Sequence, residues 1–157
     1  MPILPIDTGR YGTPEMRRIF EEENRLQRML DVEAALAWAH SEVGDIPKKD
    51  AQKIVEAAST EYVKLDRVKA IEREIRHDVM ALVQALAEAS GPSGAYVHLG
   101  ATSADIVDTA TALQLREVVD LLEKRLSDLE ETLLDKAQRH KQTIMMGRTH
   151  GQHALPI

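Results

Sequence analysis

The longest regular pattern in the chain runs over residues 102–140, TSADIVDTATALQLREVVDLLEKRLSDLEETLLDKAQRH. Its apolar positions step by three and four residues throughout: Ala112, Leu115, Val119, Leu122, Leu126, Leu129 and Leu133. A sustained heptad stripe of this kind is typical of a helix in a long bundle or coiled coil. The helix would be roughly 57 Å long, which exceeds any core that the other residues can supply. We therefore predict that it packs against copies of itself or against sequence outside this chain, and that the chain belongs to an oligomer.

Shorter helical patterns precede the long one. Thr13 suits an N-cap with Pro14 at the first helical position, and helical periodicity continues from there to about Val43, with a break near Asn24. Three further helices are expected over residues 47–59, 65–77 and 78–90. The pattern predicts an all-α fold.

The domain organisation follows from the breaks between these helices. Residues 1–12 are expected to form an extended arm, residues 91–94 (GPSG) a loop, and residues 96–100 a connector. We predict a small N-terminal helical domain over residues 1–100. Residues 101–157 would then hold the first long helix of a bundle and the start of its next segment, with the rest of the bundle missing.

Composition excludes several classes of function. The net charge is −6 without a basic cluster, which argues against nonspecific nucleic-acid binding. No apolar run is long enough to span a bilayer, and no basic region precedes an apolar one at the start of the chain, so a cytoplasmic protein is the default expectation. The chain has no Cys and therefore no thiolate chemistry, while one Trp and one Phe leave the core to aliphatic residues.

The densest group of polar side chains lies at residues 147–157, GRTHGQHALPI. Closely spaced histidines such as His150 and His153 can share a metal ion, but the segment offers neither Cys nor an acidic residue as a further ligand. We expect no metal and no cofactor here. The preferred interpretation is acid–base chemistry by His150, with Thr149 and Gln152 orienting a substrate.

The start of the long helix is a second candidate site. Thr102 followed three residues later by Asp105 is a variant of the capping box, and a cap alone would explain both residues. The amides and hydroxyls of Thr102 and Ser103 could also hold a carboxylate or phosphate at the helix N-terminus. Gly100 would let such a ligand approach the backbone closely.

Other polar residues allow two interpretations each. Arg76, His77 and Asp78 could bind an anion and carry a proton, or form an exposed ion-pair cluster. His98 could contact a substrate, although a histidine between apolar neighbours is more often structural. Two further ambiguous residues, Arg10 and Tyr11, could bind a phosphate or belong to a disordered arm. His40 and His140, on helical faces, are interpreted as bystanders.

Four segments, read together, resemble the N-terminal part of the adenylosuccinate lyases, a family of the fumarase/aspartase superfamily. They are RYGTPEM at 10–16, REIRHDV at 73–79, VHLGATSADIVDTA at 97–110 and MGRTHGQHALP at 146–156. The resemblance implies β-elimination of fumarate from a nucleotide, adenylosuccinate or the succinylcarboxamide ribotide of purine synthesis. It also implies a homotetramer whose active sites combine three subunits. The family's base, a serine on a glycine-rich GSSxMPxKxNP loop, has no counterpart here, so the chain alone is expected to be inactive.

The resemblance also assigns roles to residues. It implies that His150 is the general acid and that His77 is a second catalytic histidine, near the leaving group and phosphate, within an RHD motif that includes Arg76 and Asp78. The remaining implied roles concern substrate contacts: Thr102 and Ser103 at the succinyl carboxylate, Arg10 and Tyr11 at the nucleotide end, and His98, Thr149 and Gln152 in the rest of the pocket.

Two alternatives remain open. Another superfamily member, such as carboxymuconate cycloisomerase or argininosuccinate lyase, would share the elimination logic. A lactonising enzyme has no nucleotide leaving group and hence less reason to keep His77 and His98. The other alternative is a non-catalytic helical oligomerisation module, which the heptad stripe supports and the polar cluster at residues 147–153 disfavours.

Overall fold

The computed structural model describes residues 11–157 and confirms the all-α prediction, with one small hairpin in addition. Arg10 lies outside the described residues. The helices are α1 Pro14–Ile19, α2 Glu22–Val43, α3 Lys48–Ala57, α4 Leu65–Ile75, α5 Asp78–Ser90 and α6 Ser103–His140, with a 3-10 helix at Gly91–Tyr96. Strands β1 Met146–Thr149 and β2 Gln152–Pro156 follow. The chain divides after Val119 into two compact units.

The first helix begins as the sequence predicts. The Thr13 hydroxyl accepts a hydrogen bond from the Met16 amide at 3.3 Å, and Pro14 occupies the first turn. The break falls earlier than predicted, between Ile19 and Glu22. Asn24 lies inside α2, and its side-chain amide donates to the Ile19 carbonyl at 2.9 Å. The residue expected to interrupt the helix therefore caps the end of the preceding one.

Two other boundaries differ from the predictions. Helix α4 ends at Ile75, because Arg76 adopts a left-handed conformation (φ 57°) as its C-cap, and His77 becomes the N-cap of α5. The segment expected to be a loop at residues 91–94 is part of the 3-10 helix Gly91–Tyr96. Pro92 is tolerated there because its missing N–H falls in the first turn of the helix. Helix α5, in contrast, has the predicted bounds.

The first unit is built around an aliphatic core. Its fully buried side chains include Leu30 of α2, Ile54 of α3 and Leu86 of α5. The beginning of α6 packs against the same core through Ile106 and Ala110. The scarcity of aromatic residues is thus met by Leu, Ile, Val and Ala in close-packed helices, as composition predicts.

Truncation of this core should be costly. Leu30 is completely buried, so we expect Leu30→Ala to lower the free energy of unfolding by about 2–5 kcal/mol. Val43 is 75% exposed, and Val43→Ala at the end of the same helix should change it by less than about 0.5 kcal/mol. Urea unfolding followed by circular dichroism measures both values. Equal losses in the two variants would contradict the assigned core.

The second unit contains the rest of α6 and the hairpin. Helix α6 starts one residue after the predicted start and ends at the predicted His140. Because α6 belongs to both units, the predicted domain boundary at residue 100 stays a prediction. Among residues 11–157, no helix is both long and apolar enough to cross a membrane. The cytoplasmic location stays a prediction.

The heptad stripe of α6 is exposed in the single chain. Its leucines from residue 115 onward leave between 48% and 63% of their surface open: Leu115, Leu122, Leu126, Leu129 and Leu133. The neighbouring Leu134 is 63% exposed. Monomeric proteins rarely expose so continuous an apolar surface, which usually marks an interface with another chain or segment.

Candidate active site

The segment 147–157 forms an antiparallel hairpin whose tip is His150 and Gly151. Thr149 pairs with Gln152 directly across the two strands, so these two side chains flank the tip. His150 has φ 48° and Gly151 has φ 76°. Positive φ at both central residues characterises the type I′ turn, which matches the twist of two-residue hairpins and favours Asn followed by Gly. The histidine therefore occupies a position where local backbone preference would select asparagine.

A bulge interrupts the hairpin two residue pairs away from its tip. Arg148 pairs with His153 and Met146 with Pro156, which places an additional residue on β2 between the two pairs. A Cβ on Gly147 would lie 2.9 Å from the Leu155 carbonyl oxygen, closer than such contacts normally allow. Only glycine fits there, and the bulge gives the strands a defined twist. The tip residues Thr149, His150 and Gln152 thereby lie close together, and their roles stay predictions.

The beginning of α6 has the predicted cap. The Asp105 carboxylate accepts the Thr102 amide proton at 2.9 Å, with Thr102 immediately before the first helical residue, Ser103. The Thr102 amide is therefore not available to a ligand. The exposed Thr102 hydroxyl, the half-buried Ser103 and the positive end of the helix dipole remain as features that favour an anion.

His98 is connected to the interior of the first unit. It has φ 64°, a conformation in which histidine is several-fold enriched among non-glycine residues. Its Nδ1 lies 2.6 Å from Oε1 of Glu33, a carboxylate on α2 that is 1% exposed. Burial raises the pKa of Glu33 above its ordinary value, while the hydrogen bond and the charge of His98 oppose that rise. The side chain of His98 itself is only 13% exposed.

A second histidine, His40, contacts the same turn. His40, interpreted as a bystander, places Nδ1 2.8 Å from Oδ2 of Asp45 and Nε2 2.9 Å from the Leu99 carbonyl oxygen. It therefore links the end of α2 to the residue after His98. Its interpretation as a bystander in function stays a prediction, but helical periodicity could not reveal this structural contact, because Leu99 is 59 residues away in sequence.

Glu33 was missed by the sequence reasoning, although one signal could have found it. The buried positions of α2 recur at three- and four-residue steps, as Leu26, Leu30, Glu33, Ala37 and Ser41. A glutamate at a position that the helical periodicity predicts to be buried stands out, because a buried carboxylate needs a partner.

The Arg76–His77–Asp78 group lies at the junction of α4 and α5, where all three residues are exposed. The His77 Nδ1 accepts a hydrogen bond from the Met80 amide at 3.3 Å and lies 3.6 Å from Oδ1 of Asp78. An accepting Nδ1 carries no proton, so the neutral ring bears its proton on Nε2. That nitrogen is directed away from the backbone contact and is the atom that could meet a ligand.

The predicted site residues thus fall into separate groups. The first unit holds Tyr11, which is 54% exposed, the group at 76–78, His98 and the start of α6. The second unit holds the hairpin group. Among the described residues, no three or more His, Cys, Asp or Glu side chains are arranged to hold a metal ion.

Comparison with known proteins defines the class. A sequence model described as lyase matches residues 9–157, and the chain belongs to this lyase family. The chain is 57% identical over 157 residues to an adenylosuccinate lyase of Methanocaldococcus jannaschii, covering 99% of this chain and 34% of that protein. It is 44% identical over 147 residues to that of Bacillus subtilis, covering 94% and 33%. The resemblance predicted from the four motifs is confirmed.

Solved structures of related enzymes share the fold of this chain. A fumarate lyase from Mesorhizobium sp. BNC1 superposes with a TM-score of 0.83 at 36% identity, over 94% of this chain and 36% of that one. A 3-carboxy-cis,cis-muconate lactonizing enzyme from Pseudomonas putida gives 0.84 at 38% identity, over 95% and 35%. The chain spans about a third of the length of the curated relatives that it matches.

Proposed function

We propose that this chain is part of an adenylosuccinate lyase. The enzyme would eliminate fumarate from adenylosuccinate, giving AMP, and from succinylaminoimidazolecarboxamide ribotide in purine biosynthesis. The observation that carries the proposal is the identity of 57% and 44% to archaeal and bacterial proteins of that name over nearly all of this chain. The hairpin that presents His150 between Thr149 and Gln152 supports it.

The proposed chemistry needs one base and one acid. The base removes a proton from the carbon next to a carboxylate of the succinyl group, and the electron pair forms the double bond of fumarate as the C–N bond breaks. His150 would protonate the departing nitrogen, since a histidine can carry a transferable proton near neutral pH. The base would lie outside these 157 residues.

The other candidate residues would bind the substrate. The start of α6, with Thr102 and Ser103, would hold a succinyl carboxylate through hydroxyls and the helix dipole. The group at Arg76, His77 and Asp78 would face the leaving nucleotide, with Nε2 of His77 as the contacting atom. His98 would make a further contact, and Arg10 and Tyr11 would bind the nucleotide end.

Assembly is part of the proposal. The exposed leucine stripe of α6 would pack in a bundle with other subunits of a homotetramer, so that each active site would combine residues from several chains. The 157-residue chain by itself is then expected to be inactive. Fumarate release by the purified chain, with its mass verified, would contradict this expectation.

The test of the proposed function is direct. The intact protein should release fumarate and AMP from adenylosuccinate, measured by chromatographic separation of the products over time. Argininosuccinate and 3-carboxy-cis,cis-muconate serve as control substrates. Turnover of either control without turnover of adenylosuccinate would refute the proposal.

One alternative has a specific observation in its favour. The Pseudomonas putida lactonizing enzyme superposes as well as the Mesorhizobium fumarate lyase does. It is 38% identical to this chain, however, against 57% for the Methanocaldococcus adenylosuccinate lyase. Lactonisation of carboxymuconate by the intact protein would favour this alternative, and the same assay decides it.

A further inference from the structure

We propose that Glu33 is a positioning residue of the active site, which fixes the ring of His98 and its tautomer so that Nε2 faces the substrate. The proposal rests on the proposed function, because it takes His98 to be a substrate-contacting residue. It adds a carboxylate of α2 that acts through His98 and is not expected to touch the substrate.

The contact has the geometry of a strong hydrogen bond. Glu33 Oε1 and His98 Nδ1 are 2.6 Å apart, slightly shorter than the roughly 2.7–2.9 Å typical of charge-assisted N–H···O bonds. The Glu33 side chain is fully buried and that of His98 is 13% exposed. Water therefore has little access to this pair and does not readily replace the hydrogen bond. Glu33 is the buried acceptor that faces Nδ1 of the ring.

The ionised form of Glu33, which the hydrogen bond and charge of His98 favour against the effect of burial, selects one tautomer of the ring. A carboxylate only accepts hydrogen bonds, so a short contact with ionised Glu33 requires the proton on Nδ1 of His98. Nε2 is then the ring atom left for a ligand. A carboxylate on one ring nitrogen is a common way to fix the function of the other. Among the described residues Glu33 Oε2 has no hydrogen-bond partner, and the groups that oppose the raised pKa of Glu33, a ring and a backbone amide, both belong to His98.

A purely structural role accounts less well for the arrangement. An apolar side chain in the stripe between Leu30 and Ala37 would pack without the cost of burying a carboxylate. The hydrogen bond is also made by a residue, His98, whose backbone is in a left-handed conformation. Two side chains on one face of α2 contact the turn at residues 98–100. Glu33 bonds to His98, and His40, seven residues later, contacts the Leu99 carbonyl. The His98–Gly100 turn, which leads directly into Thr102 and Ser103, is thereby fixed from one element.

A double-mutant cycle in the intact protein tests the proposal. We expect Glu33→Gln to lower kcat/KM for adenylosuccinate by about 10- to 100-fold, the cost typical of losing a carboxylate that orients a metal-binding histidine. In a His98→Gln background the same substitution should cost less than about twofold. An equal loss in both backgrounds, or no loss in the first, would overturn the proposal. Glu42→Gln, an exposed glutamate of the same helix, is the matched control and should leave kcat/KM unchanged.

The state of the ring gives a second measurement that needs no activity. In ¹⁵N-labelled wild-type protein, the neutral His98 ring should carry its proton on Nδ1 and leave Nε2 bare, with its signal identified by loss in His98→Gln. A neutral ring with a bare Nδ1 would overturn the proposal even if Glu33→Gln fails to fold. Absence of turnover in the wild-type protein would refute the proposed function instead, so the two failures are distinguishable.

Discussion

Replacing His150 with asparagine in the intact protein should lower kcat by about 10²–10⁴-fold, the usual contribution of a general acid. Asparagine cannot donate a proton to the leaving nitrogen, but it adopts the left-handed conformation readily. His150 has φ 48° and precedes Gly151, so the variant carries Asn-Gly, the preferred pair for a type I′ turn. Hairpin geometry and melting temperature should therefore be unchanged. Alanine is a poorer test, because a φ of this kind strains it.

His140→Asn is the matched control, since His140 is an exposed histidine in the same unit. Its kcat should stay within about twofold of the wild-type value, as for most surface substitutions away from special features. A His150→Asn protein with wild-type turnover would exclude the general-acid role. Loss of assembly together with activity would favour the alternative of an oligomerisation module.

The double substitution Leu126→Glu and Leu129→Glu should dissociate the oligomer that we propose. Both side chains lie in the exposed stripe of α6, at 63% and 52% exposure in the single chain. Burying one leucine contributes about 1.5–3 kcal/mol, and an assembly repeats this contribution in every subunit. The change also places unpaired carboxylates in the interface, which is a further cost. Sedimentation velocity should show smaller species, and activity should fall with them.

Ser127→Glu provides the control for charge. Ser127 lies between the two leucines in sequence but about 100° around the helix from Leu126, outside the stripe. The oligomer should persist in this variant. If the double leucine variant kept its full size, the stripe would not be the interface, and the apolar surface would need another explanation.

Helical periodicity predicted most of the elements because it is a local property. Helix α5 has its predicted bounds, and α6 begins and ends within one residue of the expected positions. The errors occur where a single residue has a non-local or backbone role. Asn24 resembles a helix breaker, yet it caps α1 from within α2. Arg76 ends α4 in a left-handed conformation that composition does not reveal.

The residues of the candidate site also divide into those that a local pattern predicts and those that only non-local contacts reveal. The polar residues of the hairpin are contiguous in sequence, so their grouping at residues 149–152 was predictable from the glycines around them. Glu33 and His98 are 65 residues apart. No local pattern connects them, so the sequence suggested a substrate contact for His98 only through the family resemblance and did not suggest its partner.

The sequence by itself determined the helical class, the apolar heptad stripe of α6 and the motifs that match the lyase family. These properties follow from side-chain spacing and from short contiguous segments. The tertiary structure alone decided which polar residues support others. The pairing of Glu33 with His98, the contact of His40 with Leu99 and the burial of a carboxylate in α2 arise only when distant segments pack together. Packing creates the low-dielectric surroundings in which a single hydrogen bond can fix a ring and its proton.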